Sequence, residues 1–158
     1  MTEPWLAAPI APVTVDGSVF LGPLEPWRHA FGHGGINSNP LPDRVVSGMR
    51  RLQPRLVRVF LQEFFHPYPA PDQFDWTLLD PYMDALAATG ATVVAAITFK
   101  PKPLFPEIDH AIWMPNDVAA WQRLIGELVH RYSVERPIVT HWEIGNETDI
   151  GEDGGSPY

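Results

Sequence analysis

The sequence predicts an α/β fold with a parallel sheet, and three features lead to that prediction. Runs of apolar and β-branched residues at 56–61, 91–98 and 138–142 alternate with segments of helical periodicity. The first two runs are apolar on both faces apart from Arg58, which is typical of strands covered by helices. Helices between successive strands produce right-handed crossovers, and such crossovers make the strands parallel.

The elements predicted along the chain correspond to half of a closed barrel. They are a strand at 31–37, a helix at 43–52, a strand at 56–61, a helix ending at Ala88, a strand at 91–98, a helix at 116–132 and a strand beginning at 138. A (β/α)8 barrel of the TIM type needs eight strands, eight helices and about 250 residues. We therefore interpret residues 27–158 as about the first four β/α units of such a barrel. Residues 1–26 are interpreted as an irregular lead-in with a short hairpin around Asp16 and Gly17.

Two helices have clear predicted starts and apolar stripes. Asp43 is expected to cap the first helix, and Asn116 is expected to cap the third. The stripes expected to be buried are Val45, Val46, Met49 and Leu52 in the first helix, and Val118, Trp121, Ile125, Leu128, Val129 and Tyr132 in the third.

Composition argues against several kinds of partner. The formal net charge of −8 disfavours nucleic acid and anionic membrane surfaces. The sequence contains no cysteine and therefore no disulfide framework and no thiolate metal site. No segment reaches the roughly 18 apolar residues of a membrane span. Residues 1–15 have no Lys or Arg and no long apolar run, so no signal peptide is expected and the cytoplasm is the default compartment.

The stretch 140–149 holds the strongest candidate site. It begins as a strand and ends in polar, turn-forming residues, with Glu143 and Glu147 on one face of the strand and Gly145 between them. In a parallel α/β barrel, catalytic groups lie at the C-terminal ends of strands. A Glu there can protonate a leaving oxygen if burial or a nearby carboxylate raises its pKa. Asn146 can bind a sugar hydroxyl without adding charge.

The sequence Trp-Glu-Ile-Gly-Asn-Glu at 142–147 resembles the acid/base motif of retaining glycoside hydrolases built on (β/α)8 barrels. The wider chain, over about 31–151, most resembles family 39, the β-xylosidase and α-iduronidase group. The resemblance implies that Glu147 is the general acid/base, that Asn146 binds the 2-hydroxyl group and that Arg58 reaches the nucleophile. The chain departs from the family at Phe60, where xylosidases often have His, and at Gly145, where a larger residue is common.

The resemblance also implies that the nucleophile is a Glu on a seventh strand, which these four predicted strands do not include. The 158 residues alone are therefore expected to be inactive as a glycosidase. An inner barrel face with Val57, Val59 and either Val93 or Val94 would lack its opposite wall. Such a half-barrel is expected to associate with itself.

Two more residues complete the predicted carbohydrate-binding site. Trp113 lies in the long loop at 104–115, where its ring can stack on a sugar, and His33 lies in a glycine-rich stretch at the end of the first strand. Neither a metal nor a cofactor is predicted.

Two alternatives remain open at the level of sequence. One is a metal-dependent hydrolase that uses His29, His33, His141 and Glu143, although these residues lack the paired spacing of a helical zinc motif. The other is a non-catalytic carbohydrate-binding protein, or a fragment without activity of its own.

Overall fold

A computed structural model describes residues 13–20, 22–23, 29–33, 37–106 and 114–146. These residues form one parallel sheet with the strand order β1-β2-β3-β4 and a helix in each connection. The elements are β1 (Ala30–His33), α1 (Asp43–Leu52), β2 (Leu56–Leu61), α2 (Leu79–Ala87), β3 (Thr92–Ile97), α3 (Val118–Val129) and β4 (Val139–Ile144). A short 3-10 helix, Glu63–Phe65, follows β2, and a π-helical segment, His130–Glu135, extends α3. The predicted α/β fold with parallel strands is confirmed.

The two faces of the sheet differ in what covers them. Val57, Val59 and Val93 are fully buried and belong to the core between the sheet and the helices. The expectation that Val57 and Val59 line the inner face is therefore wrong, and of the two alternatives Val93 and Val94, Val93 does not line it. Alternation along a strand defines two faces, but it does not say which of them meets the helices. Val94, in register with Arg58, lies on the opposite face.

We call the face opposite the helices the inner face. On β2, β3 and β4 it carries Arg58, Phe60, Val94, Ala96, His141 and Glu143. Most of these residues are half-buried or exposed, whereas the helix-facing residues of β2 are completely buried. The inner face is thus the accessible side of the described sheet.

A register shift in β4 determines which residues reach the inner face. Val93 pairs with Val139, but Val94 pairs with His141, so Thr140 is one extra residue in the strand. Because of this shift, Trp142 packs towards the helices and Glu143 points to the inner face.

The helices confirm the predicted positions but differ in their caps and stripes. Asp43 is the first residue of α1 rather than its cap, which is Pro42. The cap of α3 lies one residue later than expected, because the Asp117 side chain accepts a hydrogen bond from the Ala120 N–H at 2.9 Å. The buried residues are Val46 in α1, and Ala120, Leu124, Leu128 and Tyr132 along α3 and its extension. Val45, Leu52 and Val118, expected in the buried stripes, are exposed.

One carboxylate fastens α2 to the π-helical segment. Asp80 accepts hydrogen bonds from Arg131 Nε and from the Tyr132 hydroxyl, both at 2.8 Å, and it contacts Arg136 Nη1 at 2.7 Å. Burial opposes ionisation of Asp80, but the hydrogen bonds from Arg131 and Tyr132 outweigh it, and its pKa lies below the usual value. Two helical elements that precede β4 are thereby held together.

Ser133 connects the π-helical segment to β4. Its hydroxyl donates to the Val139 carbonyl at 2.8 Å and accepts from the Trp142 indole N–H at 2.9 Å. The strand is therefore held at both sides of its register shift.

The described part of the lead-in, residues 13–20, contains a turn at Gly17 and Ser18 and no strand. Asp16 Oδ1 accepts from the Ser18 N–H at 2.9 Å and from its hydroxyl at 2.6 Å. The hairpin expected there is thus reduced, in these residues, to its turn. Within the described ranges, no helix combines the length and apolarity needed to cross a membrane.

Candidate functional site

Arg58 is the centre of the polar cluster on the inner face. Its Nε and Nη2 atoms donate to Glu143 Oε2 and Oε1, each at 2.6 Å. Nη2 also donates to Asn146 Oδ1 at 3.0 Å. The Phe60 ring centroid lies 4.4 Å from the Arg58 Cζ atom, as in a cation–π contact. The structure therefore pairs Glu143 with Arg58.

The pair crosses an intervening strand. Arg58 is on β2 and Glu143 is on β4, so their backbones are separated by about two strand spacings, roughly 9–10 Å, and their side chains meet between them. Ala96 on β3 is in register with both Phe60 and Glu143, and it is completely buried. A methyl group at this position leaves room for the guanidinium and the carboxylate to meet over β3.

The pair is only partly shielded from solvent. The Arg58 and Glu143 side chains are 30% and 39% exposed. The hydrogen bonds from Arg58 lower the pKa of Glu143 from its usual value, against a smaller opposing effect of burial. Glu143 is therefore ionised at neutral pH, and the cluster carries one positive and one negative charge.

Replacing Glu143 by Gln is expected to lower the free energy of unfolding at pH 7 by about 1 kcal/mol, since partly exposed pairs contribute little. A carboxyl group with a lowered pKa stabilises the fold above its unfolded pKa of about 4.3, and this contribution is lost as the pH falls through the folded value. The difference between the wild-type protein and Glu143→Gln should therefore shrink below about pH 4.3. Urea denaturation at pH 7 and at several acidic pH values measures it. The exposed Glu127→Gln on α3 is the control, and a difference that persists unchanged in acid would contradict the prediction.

Gly145 ends β4 and redirects the chain. Its φ of 76° lies in the left-handed region, and its N–H donates to the Ile97 carbonyl at 3.0 Å. After this turn, Asn146 accepts a hydrogen bond from the same guanidinium that binds Glu143, although Glu143 lies three positions earlier in the sequence. Strand alternation therefore does not continue through Asn146, so the shared face predicted for Glu143 and Glu147 no longer follows from spacing alone.

Gly145→Ala is expected to destabilise the protein by about 1–2 kcal/mol, because a side chain disfavours the left-handed region. Gly126→Ala is the matched control. Gly126 lies in α3 with open space around the added methyl group, so this change is expected to stabilise the protein by about 0.5–1 kcal/mol. Chemical denaturation of both variants measures the two effects. Equal effects of the same sign would contradict the assigned backbone geometry.

The remaining predicted site residues fall in different places. His33 pairs in register with Val59, on the helix-facing side, and its ring stacks on Tyr82 at 5.7 Å between centroids. Burial lowers the pKa of His33. The structure thus does not bring His33 to the Arg58 cluster. Glu147 and Trp113 lie outside the described residues.

The four residues of the metal alternative are not assembled. Glu143 lies on the inner face, whereas His33 faces the helices. Within the part of the chain that the structure describes, no three His, Cys, Asp or Glu side chains are close enough to hold a metal ion.

Lys100 lies beyond the C-terminal end of β3, and the sequence analysis did not identify it as a candidate site residue. It is 6% exposed, its N–H donates to Glu63 Oε1 at 2.8 Å, and its Nζ lies 5.8 Å from the Phe105 ring centroid. Burial lowers the pKa of Lys100, and Glu63 partly opposes that effect. The signal that could have identified it is a charged residue soon after a strand buried on both faces.

Comparison with solved structures assigns the fold class. A family 39 glycoside hydrolase from the gut symbiont Bacteroides cellulosilyticus WH2 is similar over 77% of this chain and 25% of its own, with 18% identity and a TM-score of 0.55. A polyextremophilic β-galactosidase from the Antarctic haloarchaeon Halorubrum lacusprofundi is similar over 75% of this chain and 21% of its own, with 19% identity and a TM-score of 0.53. A β-galactosidase from the psychrophilic Marinomonas ef1 matches 76% of this chain and 22% of its own, with 20% identity and a TM-score of 0.52.

The four described strands and their three connecting helices are therefore the N-terminal part of a TIM barrel, as the sequence predicted. The chain spans between about a fifth and a quarter of the length of these solved structures. No protein-family profile and no curated protein matches the sequence.

Proposed function

We propose that this chain forms the acid/base side of the active site of a retaining glycoside hydrolase. The observation that supports the proposal is the position of Asn146, the residue before Glu147. It is held at the C-terminal end of β4, on the inner face, by the hydrogen bond from Arg58. In TIM barrels, this is the end where the catalytic groups lie. Similarity of the fold to glycoside hydrolases agrees with this class.

In the proposed mechanism, Glu147 donates a proton to the leaving oxygen and then accepts one from the attacking water. The two steps require one carboxyl group to act first as acid and then as base. Asn146 binds the hydroxyl group next to the breaking bond. Arg58 orients the polar groups around the reacting centre and lies beside the nucleophile.

The nucleophile must be a second carboxylate, roughly 5–5.5 Å from the first in a retaining enzyme. Glu143 does not suit this role, because both of its oxygens accept hydrogen bonds from Arg58 and neither is left free to attack a sugar carbon. An oxygen engaged in this way is a weaker nucleophile. We therefore propose that the nucleophile comes from outside these 158 residues, and that they do not turn over substrate alone.

The proposed substrates are β-linked neutral glycosides of the xyloside type, with the Trp113 ring as a stacking surface. The test is to hydrolyse aryl β-xylosides, β-galactosides and β-glucosides with the full-length protein and to follow the first-formed anomer by proton NMR. We expect release of the β-anomer. Release of the α-anomer would exclude a retaining mechanism, and sugar binding without turnover, seen by Trp fluorescence, would favour a carbohydrate-binding protein. Dependence on added zinc would favour the metal alternative.

A further inference from the structure

We propose that Glu143 and Phe60 are positioning residues for Arg58, and that the small side chain of Ala96 is required for their arrangement. The consequence of this arrangement for catalysis rests on the proposed function, but the arrangement itself can be tested without any substrate.

The first argument is the path of the Arg58 side chain. Arg58 starts on β2 and reaches a carboxylate on β4, so its side chain has to pass β3 on the inner face. Ala96 is the residue of β3 that is in register with both Phe60 on β2 and Glu143 on β4. It therefore lies beside the end of the path, where the guanidinium reaches the carboxylate. Although it lies on the more exposed face of the sheet, Ala96 is completely buried. We infer that the guanidinium and the carboxylate, which meet over β3, cover Ala96.

The second argument is that two contacts of different kinds fix the guanidinium. Glu143 binds its edge through two parallel hydrogen bonds, and such bidentate pairs restrict orientation as well as distance. Phe60, two residues after Arg58 on the same face, presents its ring 4.4 Å from Cζ. An edge contact and a ring contact together define the position of the group and the tilt of its plane.

The third argument connects this arrangement to the proposed site. The same Nη2 atom donates to Glu143 Oε1 and to Asn146 Oδ1. Replacing Glu143 removes one of the contacts that fix Nη2, so the donor to Asn146 is held less firmly. Asn146 follows the turn at Gly145 and directly precedes Glu147 in the sequence, so a change at Asn146 falls on the backbone next to the proposed acid/base. Glu143 and Phe60 act through Arg58 and need not touch the substrate.

The arrangement is tested by nitrogen-15 NMR of the Arg58 Nε–H in the full-length protein. A side-chain N–H in a bidentate ion pair exchanges slowly with water and gives a distinct signal, which Arg58→Lys assigns by removing it. We expect the signal in the wild-type protein and in Glu127→Gln, and we expect its loss in Glu143→Gln. A signal of unchanged position and exchange rate in Glu143→Gln would overturn the role of Glu143. In Phe60→Leu, we expect the signal to shift because the ring is gone, and an unshifted signal would overturn the role of Phe60.

The requirement for a small residue is tested at position 96. Ala96→Ser adds one oxygen and is expected to keep the Arg58 signal, whereas Ala96→Leu fills the crossing point and is expected to abolish it. If Ala96→Leu does not fold, Ala96→Val is measured instead. A folded variant with the larger side chain and an intact Arg58 signal would overturn this part of the proposal.

Kinetics separate a positioning role from a merely structural one. Glu143→Gln is expected to lower kcat/KM by about 10²-fold, as displacement of a catalytic constellation does, while Glu127→Gln leaves it unchanged. The rates are compared at a temperature where both variants are fully folded, so lost stability does not enter. Loss of the Arg58 signal with unchanged kcat/KM would overturn the catalytic consequence. An inactive wild-type protein that still shows the expected NMR changes would instead overturn the proposed function and leave the arrangement supported.

Discussion

Glu147→Gln in the full-length protein is expected to lower kcat/KM for glycosides with poor leaving groups by about 10²–10⁴-fold, the usual contribution of a general acid. The amide has nearly the shape of the carboxyl group but cannot donate an acidic proton. Aryl glycosides with good leaving groups need little protonation, so their first step should be affected less. Steady-state rates across a series of leaving groups measure this difference.

A matched control keeps the chemical change and moves it away from the site. Glu127→Gln, on the exposed side of α3, should leave both classes of substrate unaffected. Full activity of Glu147→Gln on an unactivated glycoside would show that another group supplies the proton. An equal loss on all leaving groups would point to substrate binding rather than proton donation.

Asp80→Asn is expected to lower the free energy of unfolding by about 2–3 kcal/mol, more than Glu143→Gln or Gly145→Ala. Asp80 and Arg131 are each 26% exposed, and the carboxylate also accepts from the buried Tyr132 hydroxyl. The amide removes the charge and turns one acceptor into a donor that faces Arg131. Breaking a buried pair costs about 3–5 kcal/mol, and partial exposure reduces that figure for Asp80.

The control for Asp80 is one turn away on the same helix. Asp84 is 59% exposed and pairs with Arg136, so Asp84→Asn should cost about 0.2–1 kcal/mol. Urea denaturation at pH 7 measures both variants. The pKa of Asp80 is lowered in the folded protein, so its contribution is complete above the unfolded value of about 3.9 and is lost as the pH falls through the folded value. Equal costs for the two variants would show that the Asp80 network does not stabilise the junction between α2 and the extension of α3.

The elements that sequence predicted best are those with strong local patterns. The apolar runs of β2 and β3 and the helical segment of α1 are within a residue or two of their observed bounds. Their signals are periodicity and turn chemistry, which depend only on neighbouring residues. The buried stripe of α3 was predicted less well, since its orientation depends on the sheet it covers and on the π-helical extension that follows it.

The site was predictable where chemistry forces a contact. Arg58 stands out in the sequence as a charge in an apolar strand, such a charge needs a partner, and in the structure that partner is Glu143. His33 lies in a glycine-rich stretch at the end of the first strand, which makes it a candidate for the same site, but the register of β1 turns it towards Tyr82. The roles of Phe60 and Ala96 depend on which residues align across three strands, and no local pattern contains that information.

The extra residue at Thr140 gives β4 a tolerance of altered chain length that β2 does not share. Loss of that one codon would join Val139 to His141 in regular alternation, so Trp142 would still face the helices and Glu143 would still face inwards. β2 pairs with β3 without any shift, so loss of a single codon there would turn one end of the strand over. A deletion of residue 140 would therefore leave the helix-facing and inner-facing side chains of β4 on their present faces. A one-residue deletion beside Arg58 would instead move core residues of β2 to the inner face and inner-face residues to the core.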